Sequence, residues 1–331
     1  MTDQVTSQPH SHLIWDADGS PDSVIALLYF LQNPNINVDA LAVSCGLAHP
    51  DVYTANLLRM FARLGRNVIP VAAGRSIPLK GNNAFPQPWR DAVNRFLGID
   101  LPQTDECAHP LPAADLIVEV LNASPGPVTL FVSGTHTNLA EVLRLDPNIK
   151  SKIASVQVMG GALYVPGNIE PEWPEIHNSV AEWNIWVDPV AASEVFNAGL
   201  SMYLTPLDAT NQVAWTSDDA DTWEASGTPE GKLAAEILRW YLHNLHDIYP
   251  EGVYIWDLLA AVNATHPDLC QPEQVHIQVV TESGDEEGRT VVIRDQPANA
   301  TAYLTPNVGE IKHLVAQTLG LPRVESMSTR I

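Results

Sequence analysis

The chain has 331 residues, of which 45% are apolar and 17% are charged. This composition excludes wholesale disorder, and the length fits one large α/β domain or two smaller domains. Seventeen Lys and Arg residues stand against 39 Asp and Glu residues, and the net charge of −22 argues against a nucleic-acid partner because phosphate would be repelled.

Features that would direct the chain to a membrane or an oxidising compartment are not evident in the sequence. Residues 1–12 lack the apolar segment of a signal peptide, and the apolar run at residues 25–31 is far shorter than the roughly 18 residues of a membrane helix. The three cysteines are widely spaced without a C-x-x-C motif, which suits a reducing compartment. We therefore expect a soluble cytoplasmic protein with a flexible N-terminus at residues 1–12, one domain at residues 13–331, and no membrane partner.

Short β-like runs alternate with helical patterns through the first half of the chain. The predicted strands are residues 12–15, 38–44, 68–73, 128–132 and 155–159. The predicted helices between them are residues 23–31, 51–64, 114–121 and 138–145. Such alternation is typical of right-handed βαβ units, and it predicts a parallel sheet covered by helices.

Two proline-rich stretches, residues 78–112 and 164–177, interrupt this alternation. We predict long loops there, and long loops in compact domains are disproportionately functional. Near the end, residues 275–280 and 290–294 are predicted to form a hairpin, and residues 308–319 a last helix. Because no linker divides the chain, we predict a single α/β domain with a mostly parallel, doubly wound sheet and helices on both faces.

Three aspartates, Asp16, Asp18 and Asp22, follow the first predicted strand. Open α/β folds place their ligand crevices at the carboxyl ends of parallel strands. Carboxylates this close repel one another unless a cation or protons compensate them, so a hard divalent metal with oxygen ligands is the economical interpretation. Capping of the next helix by Asp22 is the alternative, but it explains only one of the three residues.

The same turn, Asp-Ala-Asp-Gly-Ser at residues 16–20, also resembles the opening motif of haloacid-dehalogenase-like phosphatases. In that family Asp16 would be the nucleophile and Asp18 the acid/base. The family also needs a downstream lysine and a late acidic pair for Mg²⁺. Lysines are few here and no Gly-Asp-x-x-x-Asp pattern ends a strand, so this hypothesis is kept as an alternative.

Four further motifs follow along the chain. They are Phe-Val-Ser-Gly-Thr-His-Thr-Asn at residues 131–138, Met-Gly-Gly-Ala at 159–162 with Pro-Gly-Asn at 166–168, Ala-Glu-Trp-Asn-Ile-Trp-Val-Asp-Pro at 181–189, and Trp-Asp-Leu-Leu-Ala at 256–260. Together with the aspartates, and in this order, they resemble the inosine–uridine-preferring nucleoside hydrolase family. Because these motifs are rich in tryptophan, the chain is most similar to the purine-preferring branch of that family.

The resemblance implies the nucleoside hydrolase fold and Ca²⁺-dependent hydrolysis of the N-glycosidic bond of purine ribonucleosides to ribose and free base. It also implies a homodimer or homotetramer. Asp18 would be the general base and a Ca²⁺ ligand, with Asp257 and the main-chain oxygen of Thr137 as further ligands. Ribose contacts are implied for Asp22, Met159, Asn168, Glu182 and Asn184. Carboxylates and amides suit this chemistry because positive charge builds on the ribose as the bond breaks, and Ca²⁺ lowers the pKa of water.

Aromatic residues are the candidates for contact with the base. Trp256 stands where one branch of the family has a histidine acid, and it is predicted to sandwich a purine ring together with Trp89 from the first proline-rich loop. An extended segment at residues 182–186 would turn Trp183 away from Glu182 and Asn184, and we expect both Trp183 and Trp186 to pack in the core. Tyr249 and Tyr254 are further candidates, from a mobile flap. His243 and His246 lack an H-E-x-x-H motif, which argues against a zinc site.

Two positions depart from the family pattern. Ser23 stands where a second adjacent aspartate is normally a major Ca²⁺ ligand, so we expect Ser23 at that ligand position and weaker Ca²⁺ binding than the family norm. Leu47, with His49 nearby, stands where an Asn or Asp usually contacts the ribose. These departures leave open a nucleoside-binding protein of the same fold that has lost turnover. Cys45 has no identifiable partnering base, so we expect it to be structural.

Overall fold

The computed structural model describes residues 11–320. Within them the strands are β1 (Ser11–Ala17), β2 (Ile36–Val43), β3 (Val71–Ala73), β4 (Val128–Ser133), β5 (Ile153–Met159), β6 (Met202–Thr205), β7 (Ala214–Trp215), β8 (Val253–Tyr254), β9 (Cys270–Val275), β10 (Ile277–Val279), β11 (Thr290–Val292) and β12 (Ala300–Pro306). The helices are α1 (Pro21–Gln32), α2 (Pro50–Leu64), α3 (Gln87–Asn94), α4 (Ala113–Ala123), α5 (Thr137–Leu145), α6 (Ile169–Glu172), α7 (Trp183–Val187), α8 (Pro189–Phe196), α9 (Leu207–Thr210), α10 (Ser217–Ala225), α11 (Pro229–Asn244), α12 (Trp256–Thr265) and α13 (Val308–Leu319).

Eight strands form one sheet in the order β3-β2-β1-β4-β5-β6-β12-β9. All neighbours in it are parallel except the edge pair β12 and β9. The chain winds outward from β1 in one direction to β2 and β3, and in the other direction to β4, β5 and β6. The predicted doubly wound α/β sheet is therefore confirmed, and the topological switch point between β1 and β4 is where such folds bind ligands.

The sheet is buried on both faces. Along β1, Leu13, Trp15 and Ala17 belong to one apolar core, while Ile14 belongs to a second core on the opposite face. Side chains alternate between the faces of a strand, so a central strand must be apolar almost throughout. This explains why the central strands could be recognised in the sequence as continuous apolar runs.

The observed elements agree with most predicted ones within a few residues. The hairpin is confirmed as β10 paired antiparallel with β11, and α13 has the predicted bounds. The predicted loop at residues 78–112 contains α3, and the one at 164–177 contains α6. The extended conformation predicted for residues 182–186 was wrong, because α7 is helical there.

The sheet begins slightly before the predicted start of the domain at residue 13. Strand β1 begins at Ser11, so Ser11 and His12 pair with β2 although they were assigned to the N-terminal segment. Residues 1–10 and 321–331, which complete the predicted segment and the predicted domain, lie outside the described residues.

Candidate active site

A cavity of about 320 Å³ opens at the carboxyl ends of the parallel strands, beside the switch point. The residues that line it come from the carboxyl ends of β4 and β5, from the turns after β1 and β2, and from helices α1, α3, α6, α7, α11 and α12 with the residues next to them. The predicted site residues that line this cavity are Asp18, Asp22, Trp89, Met159, Asn168, Glu182, Asn184, Trp256 and Asp257. Ser23, Thr137 and the two candidate tyrosines, Tyr249 and Tyr254, do not line it.

The turn after β1 presents Asp18 to the cavity. Gly19 adopts a φ of +87°, which favours glycine, and a Cβ there would lie 2.4 Å from that of Ala48. Helix α1 then begins with Ser20 as its N-cap, whose hydroxyl accepts from the amide of Ser23 at 3.3 Å. Capping by Asp22, the alternative considered for this residue, is therefore wrong, and Asp22 is left to face the cavity.

Asp18 is held by two main-chain amides. The amide of Ser20 donates to Oδ1 at 3.2 Å, and the amide of Leu47 donates to Oδ2 at 2.9 Å. A Cβ at position 46 would lie 2.4 Å from that of Asp18, so glycine is required there for this approach. Burial nevertheless raises the pKa of Asp18 to about 7, which is suitable for a group that accepts a proton near neutral pH.

Asp22 and Asp257 are coupled across the floor of the cavity. The amide of Asp257 donates to Oδ2 of Asp22 at 3.2 Å, and the hydroxyl of Tyr241 donates to Oδ1 of Asp22 at 2.9 Å. Burial raises the pKa of Asp22, and it raises that of Asp257 well above its ordinary value, with the neighbouring charge of Asp22 adding to the effect. Ionisation of both carboxyls at once is therefore unfavourable unless a cation lies beside them.

Ser23 lies behind this floor, where it is fully buried and does not line the cavity. Its hydroxyl donates to Oδ2 of Asp257 at 2.5 Å and lies 2.7 Å from the hydroxyl of Ser20. The hydroxyl of Ser133, which does line the cavity, is 3.4 Å away. Ser23 is thus positioned to orient Asp257.

The floor suits a hard divalent cation. Among residues 11–320, no Lys, Arg or His forms a salt bridge with Asp18, Asp22 or Asp257. Burial raises the pKa values of all three carboxyls, and carboxylate and hydroxyl oxygens are the ligands that such a cation prefers. The described part of the chain contains no preassembled cluster of three or more His, Cys, Asp and Glu residues, at His243 and His246 or elsewhere.

Thr137 lies near the site but does not line the cavity. It opens α5, is fully buried, and its hydroxyl donates to Oδ2 of Asp188 at 2.7 Å and contacts Sγ of Cys45 at 3.2 Å. At this end of β4, the residue that lines the cavity is Ser133, the last residue of the strand.

Asp16 also lies outside the cavity lining. Its Oδ1 accepts from Nδ2 of Asn138 at 2.8 Å, and burial raises its pKa to about 8. The phosphatase alternative requires this residue as a nucleophile facing the substrate. Because Asp16 does not line the cavity, the site lacks this nucleophile.

Glu182 caps the short helix α7 and lines the cavity at the same time. Its Oε1 accepts from the amide of Asn184 at 2.9 Å, and its Oε2 accepts from the amides of Gly161 and Ile185 at 3.1 and 3.2 Å. The amide group of Asn184 in turn donates to the carbonyl of Met159 at 3.3 Å. Burial raises the pKa of Glu182 to about 7.

Because residues 183–187 form helix α7 instead of an extended segment, Trp183 does not lie where it was expected. Trp183, which was expected to point away into the core, lines the cavity, whereas Trp186 does not. The ring of Trp183 stacks on Phe85 with centroids 4.8 Å apart and meets Trp89 edge-on at 5.5 Å. These rings form one aromatic wall.

Trp256 forms another part of the lining, in the first turn of α12 and directly before Asp257. Within the described residues no hydrogen-bond partner reaches its Nε1. Tyr249 and Tyr254 pack against Trp256 with ring centroids 6.1 Å away in each case, but neither lines the cavity. The candidate tyrosines therefore support the wall from behind.

Two lining residues with functional groups, Glu172 and Tyr241, were not predicted from the sequence. Glu172, at the end of α6, accepts from Nε1 of Trp183 at 2.8 Å and from the hydroxyl of Tyr249 at 2.6 Å. Tyr241 reaches Asp22 from α11, and Leu47 presents an apolar side chain where a ribose contact was sought. His49 is the N-cap residue of α2 and is not part of the lining.

The sequence model of the inosine-uridine preferring nucleoside hydrolases matches residues 13–313. The chain belongs to this family. A relative named pyrimidine-specific ribonucleoside hydrolase RihA, from Citrobacter koseri, is 32% identical over 85% of this chain and 87% of its own length. RihA from Salmonella arizonae is 35% identical over 70% of this chain and 71% of its own.

Solved structures of nucleoside hydrolases share the fold. A plant nucleoside hydrolase superposes with a TM-score of 0.84 at 26% identity, covering 95% of this chain and 100% of the other. The purine-preferring ribonucleoside hydrolase from Gardnerella vaginalis also gives a TM-score of 0.84, at 24% identity, with 94% and 98% covered. This nucleoside hydrolase is therefore an N-ribosyl hydrolase, an enzyme that cleaves the N-glycosidic bond of ribonucleosides. None of its helices within residues 11–320 is long and apolar enough to cross a membrane.

Proposed function

We propose that this nucleoside hydrolase cleaves purine ribonucleosides to ribose and free base with Ca²⁺ bound at the floor of the cavity. The observation that carries the proposal is the division of the cavity into two ends. Buried carboxyls from the turn after β1 and from the first turns of α1 and α12 form its floor, and tryptophan rings from α3, α7 and α12 form its walls.

Asp18 and Asp257 would hold the cation, with oxygen atoms of Ser133 beside them on the cavity wall. Ser23 and Thr137 were also predicted as ligands. The hydroxyl of Ser23 would act through Asp257, and the main-chain oxygen of Thr137 remains a proposed ligand. When bound, Ca²⁺ would lower the pKa of water and so favour its deprotonation.

The chain's own groups supply the remaining chemistry. Asp18 accepts the proton of the attacking water, since its carboxyl faces the cavity and is held there by the amides of Ser20 and Leu47. Asp22, Asn168, Glu182 and Asn184 bind the ribose hydroxyls, and Met159 packs beside the sugar. As the glycosidic bond breaks, positive charge develops on the ribose, and these buried carboxylates stabilise it more strongly than water does.

The purine preference rests on the aromatic walls. Trp89, Trp183 and Trp256 offer large flat faces, and a two-ring base covers more of them than a one-ring base. Because none of the residues that line the cavity is His, Lys or Arg, the purine is activated by stacking rather than by a nitrogen acid.

A pyrimidine preference is the second candidate. The relatives named RihA are described as pyrimidine-specific and are more similar in sequence than the purine-preferring structure, at 32–35% against 24% identity.

Ribose release from inosine, adenosine, uridine and cytidine, measured with Ca²⁺ or with EDTA, tests the proposal. We expect kcat/KM for inosine or adenosine to exceed that for uridine and cytidine, and activity to be lost with EDTA and restored by Ca²⁺. Faster cleavage of the pyrimidine nucleosides would support the second candidate instead. A nitrophenyl phosphate ester serves as the control for phosphatase activity, and we expect no hydrolysis of it.

The assembly and the location are also proposals. We propose a homodimer or homotetramer in the cytoplasm. All three cysteines, Cys45, Cys107 and Cys270, are free thiols, which supports a reducing compartment. Light scattering of the purified protein would give its mass in units of the 36.1 kDa chain, and a monomer would refute the proposed assembly.

A further inference from the structure

Asp188, in the motif at residues 181–189, accepts hydrogen bonds from three segments of the chain. It is fully buried and does not line the cavity. Its Oδ1 accepts from the amide of Ala191 at 3.1 Å and so caps α8. Its Oδ2 accepts from the amide of Leu79 and from the hydroxyl of Thr137, each at 2.7 Å. One carboxyl therefore joins α8 to the segment after β3 and to the start of α5.

The hydroxyl of Thr137 connects Asp188 to Cys45. Because Thr137 gives its hydroxyl hydrogen to the carboxyl of Asp188, it can only accept from the thiol of Cys45, whose Sγ lies 3.2 Å away. The carbonyl of Cys45 accepts from the hydroxyl of Thr135 at 2.7 Å. Cys45 is therefore held both at its side chain and at its main chain by residues that begin α5 or directly precede it.

The segments that carry Cys45 and Thr137 both pack directly against Asp18. In the first segment, the amide of Leu47 donates to Oδ2 of Asp18 at 2.9 Å. In the second segment, a Cβ at Gly134 would lie 2.5 Å from the main-chain nitrogen of Asp18 and 2.7 Å from its Cβ. Such close approaches leave Asp18 little freedom. A shift of either segment would therefore move its carboxyl.

We propose that Asp188 is a positioning residue for the reaction, which holds the carboxyl of Asp18 in place for the attacking water. It acts through Thr137 and Cys45 and does not touch the substrate. The inference rests on the proposed role of Asp18 as the general base. Misplacing a reacting group by about 1 Å can lower a rate by about a hundredfold, so a buried carboxyl behind the cavity can control turnover.

Asp188→Asn tests this inference at saturating Ca²⁺, with inosine and with a nitrophenyl riboside as substrates. An amide has one acceptor oxygen where the carboxyl has two, so it cannot satisfy Ala191 on one side and both Leu79 and Thr137 on the other. We expect kcat to fall about 10- to 100-fold, by the same factor on both substrates, because both reactions need the same water. The KM values should change by less than about threefold, since the residues that bind the ribose are untouched.

Asp208→Asn is the matched control. Asp208 is also buried outside the cavity lining, and it accepts from the amides of Leu163 and Tyr164 at 2.8 Å each. Its replacement should lower the melting temperature as Asp188→Asn does, but it should leave kcat unchanged. Asp188→Ser is a second variant that keeps a capping hydroxyl for α8 but is too short to reach Thr137. It should fold and still lose kcat.

Cys45 provides an independent measurement, because it lies between Asp188 and Asp18 in the series of contacts. Cys45→Ala removes the thiol donor and should lower kcat, whereas Cys45→Ser keeps a donor and should lie closer to the wild type. The double variant Asp188→Asn/Cys45→Ala should lose no more than about twice as much kcat as the weaker of the two single variants, whereas independent sites would multiply their losses.

The outcomes separate this inference from the proposed function. Near-wild-type kcat in folded Asp188→Asn or Asp188→Ser would overturn the inference. A loss confined to inosine would also overturn it, because the effect would then pass through Leu79 to the aromatic wall. Multiplied losses in the double variant would overturn the route through Cys45. Loss of turnover in Asp18→Asn without a loss in the Asp188 variants leaves the proposed function intact, whereas wild-type turnover in Asp18→Asn refutes the proposed base and this inference together.

Discussion

The hydroxyl of Ser23 lies 2.5 Å from Oδ2 of Asp257, and this contact joins the first turn of α1 to the first turn of α12 beneath the cavity. Family resemblance placed Ser23 at a ligand position normally held by an aspartate. In the structure its short side chain leaves room for Asp257 and donates a hydrogen bond to it. Ser23 therefore supplies no carboxylate of its own, and its hydrogen bond orients the carboxylate of Asp257 instead.

Replacing Ser23 by aspartate should tighten Ca²⁺ binding and destabilise the Ca²⁺-free protein. A second carboxylate adds a charge and ligating oxygens to the site, and charge count is a main control on Ca²⁺ affinity. Without the cation, that carboxylate would face Asp257 in a fully buried position, and we expect a loss of about 1–3 kcal/mol in the free energy of unfolding.

Calorimetric titration with Ca²⁺ and thermal melts with Ca²⁺ or EDTA check this prediction. Ser23→Ala is the matched control, because it removes the hydrogen bond without adding charge, and it should not bind Ca²⁺ more tightly than the wild type. Equal or weaker Ca²⁺ binding by Ser23→Asp would show that position 23 does not reach the cation.

Asp18→Asn should lower turnover by a factor on the order of 100–10,000, the usual range for loss of a general base. The amide keeps the size of the side chain and can still accept from the amides of Ser20 and Leu47, so the fold should be retained. Initial rates with saturating inosine, together with circular dichroism, provide the measurement. Asp51→Asn, an exposed residue on α2, is the control, and near-wild-type rates in a folded Asp18→Asn protein would refute the assigned role.

Much of the site could be predicted because its residues end strands or begin helices. Parallel strands buried on both faces can be recognised as apolar runs, and their carboxyl ends meet at one edge of the sheet, which brings Asp18 and Met159 together. Asp257 joins them from the first turn of α12. Hydrophobic periodicity also located α13, where twelve residues give a repeating pattern.

The place of Trp183 in the aromatic wall and the role of Glu172 could not be predicted in this way. Helix α7 has only five residues, too few to show a period, and the capping hydrogen bonds of Glu182 decide that Trp183 turns towards the cavity. Glu172 lies in a four-residue helix within a proline-rich stretch. Tyr241 meets Asp22 across 219 positions of sequence, and no local pattern reports such a contact.

Trp256→Ala should reduce hydrolysis of inosine more than hydrolysis of a nitrophenyl riboside. Stacking activates the purine as a leaving group, whereas nitrophenolate leaves without such help. One aromatic contact is worth about 0.5–1.5 kcal/mol beyond its buried area, so we expect a difference of up to about tenfold between the two substrates. Trp173→Ala is the control, since Trp173 packs on Trp89 outside the lining. Equal losses on both substrates would mean that Trp256 only supports the fold.

The carboxyl of Glu172 should make the stability of the protein depend on pH. Burial, with a contribution from the charge of Asp22, raises its pKa from an ordinary 4.5 to about 7, although the hydrogen bonds from Tyr249, Trp183 and Asn168 act in the opposite direction. Between these two values the folded state binds a proton that the unfolded chain does not. The stabilisation is therefore complete below pH 4.5 and is lost as the pH rises through about 7.

Glu172→Gln removes this titration, because the amide is neutral at every pH. Between pH 5 and pH 8 the free energy of unfolding should consequently fall less in the variant than in the wild type, by on the order of 1–3 kcal/mol. Urea denaturation of both proteins at four pH values and one fixed Ca²⁺ concentration measures the difference, and other buried carboxyls such as Glu182 cancel in the comparison. Glu170→Gln should follow the wild type. Parallel curves for the wild type and Glu172→Gln would show that Glu172 is already ionised in the folded protein at pH 5, and its raised pKa would then be wrong.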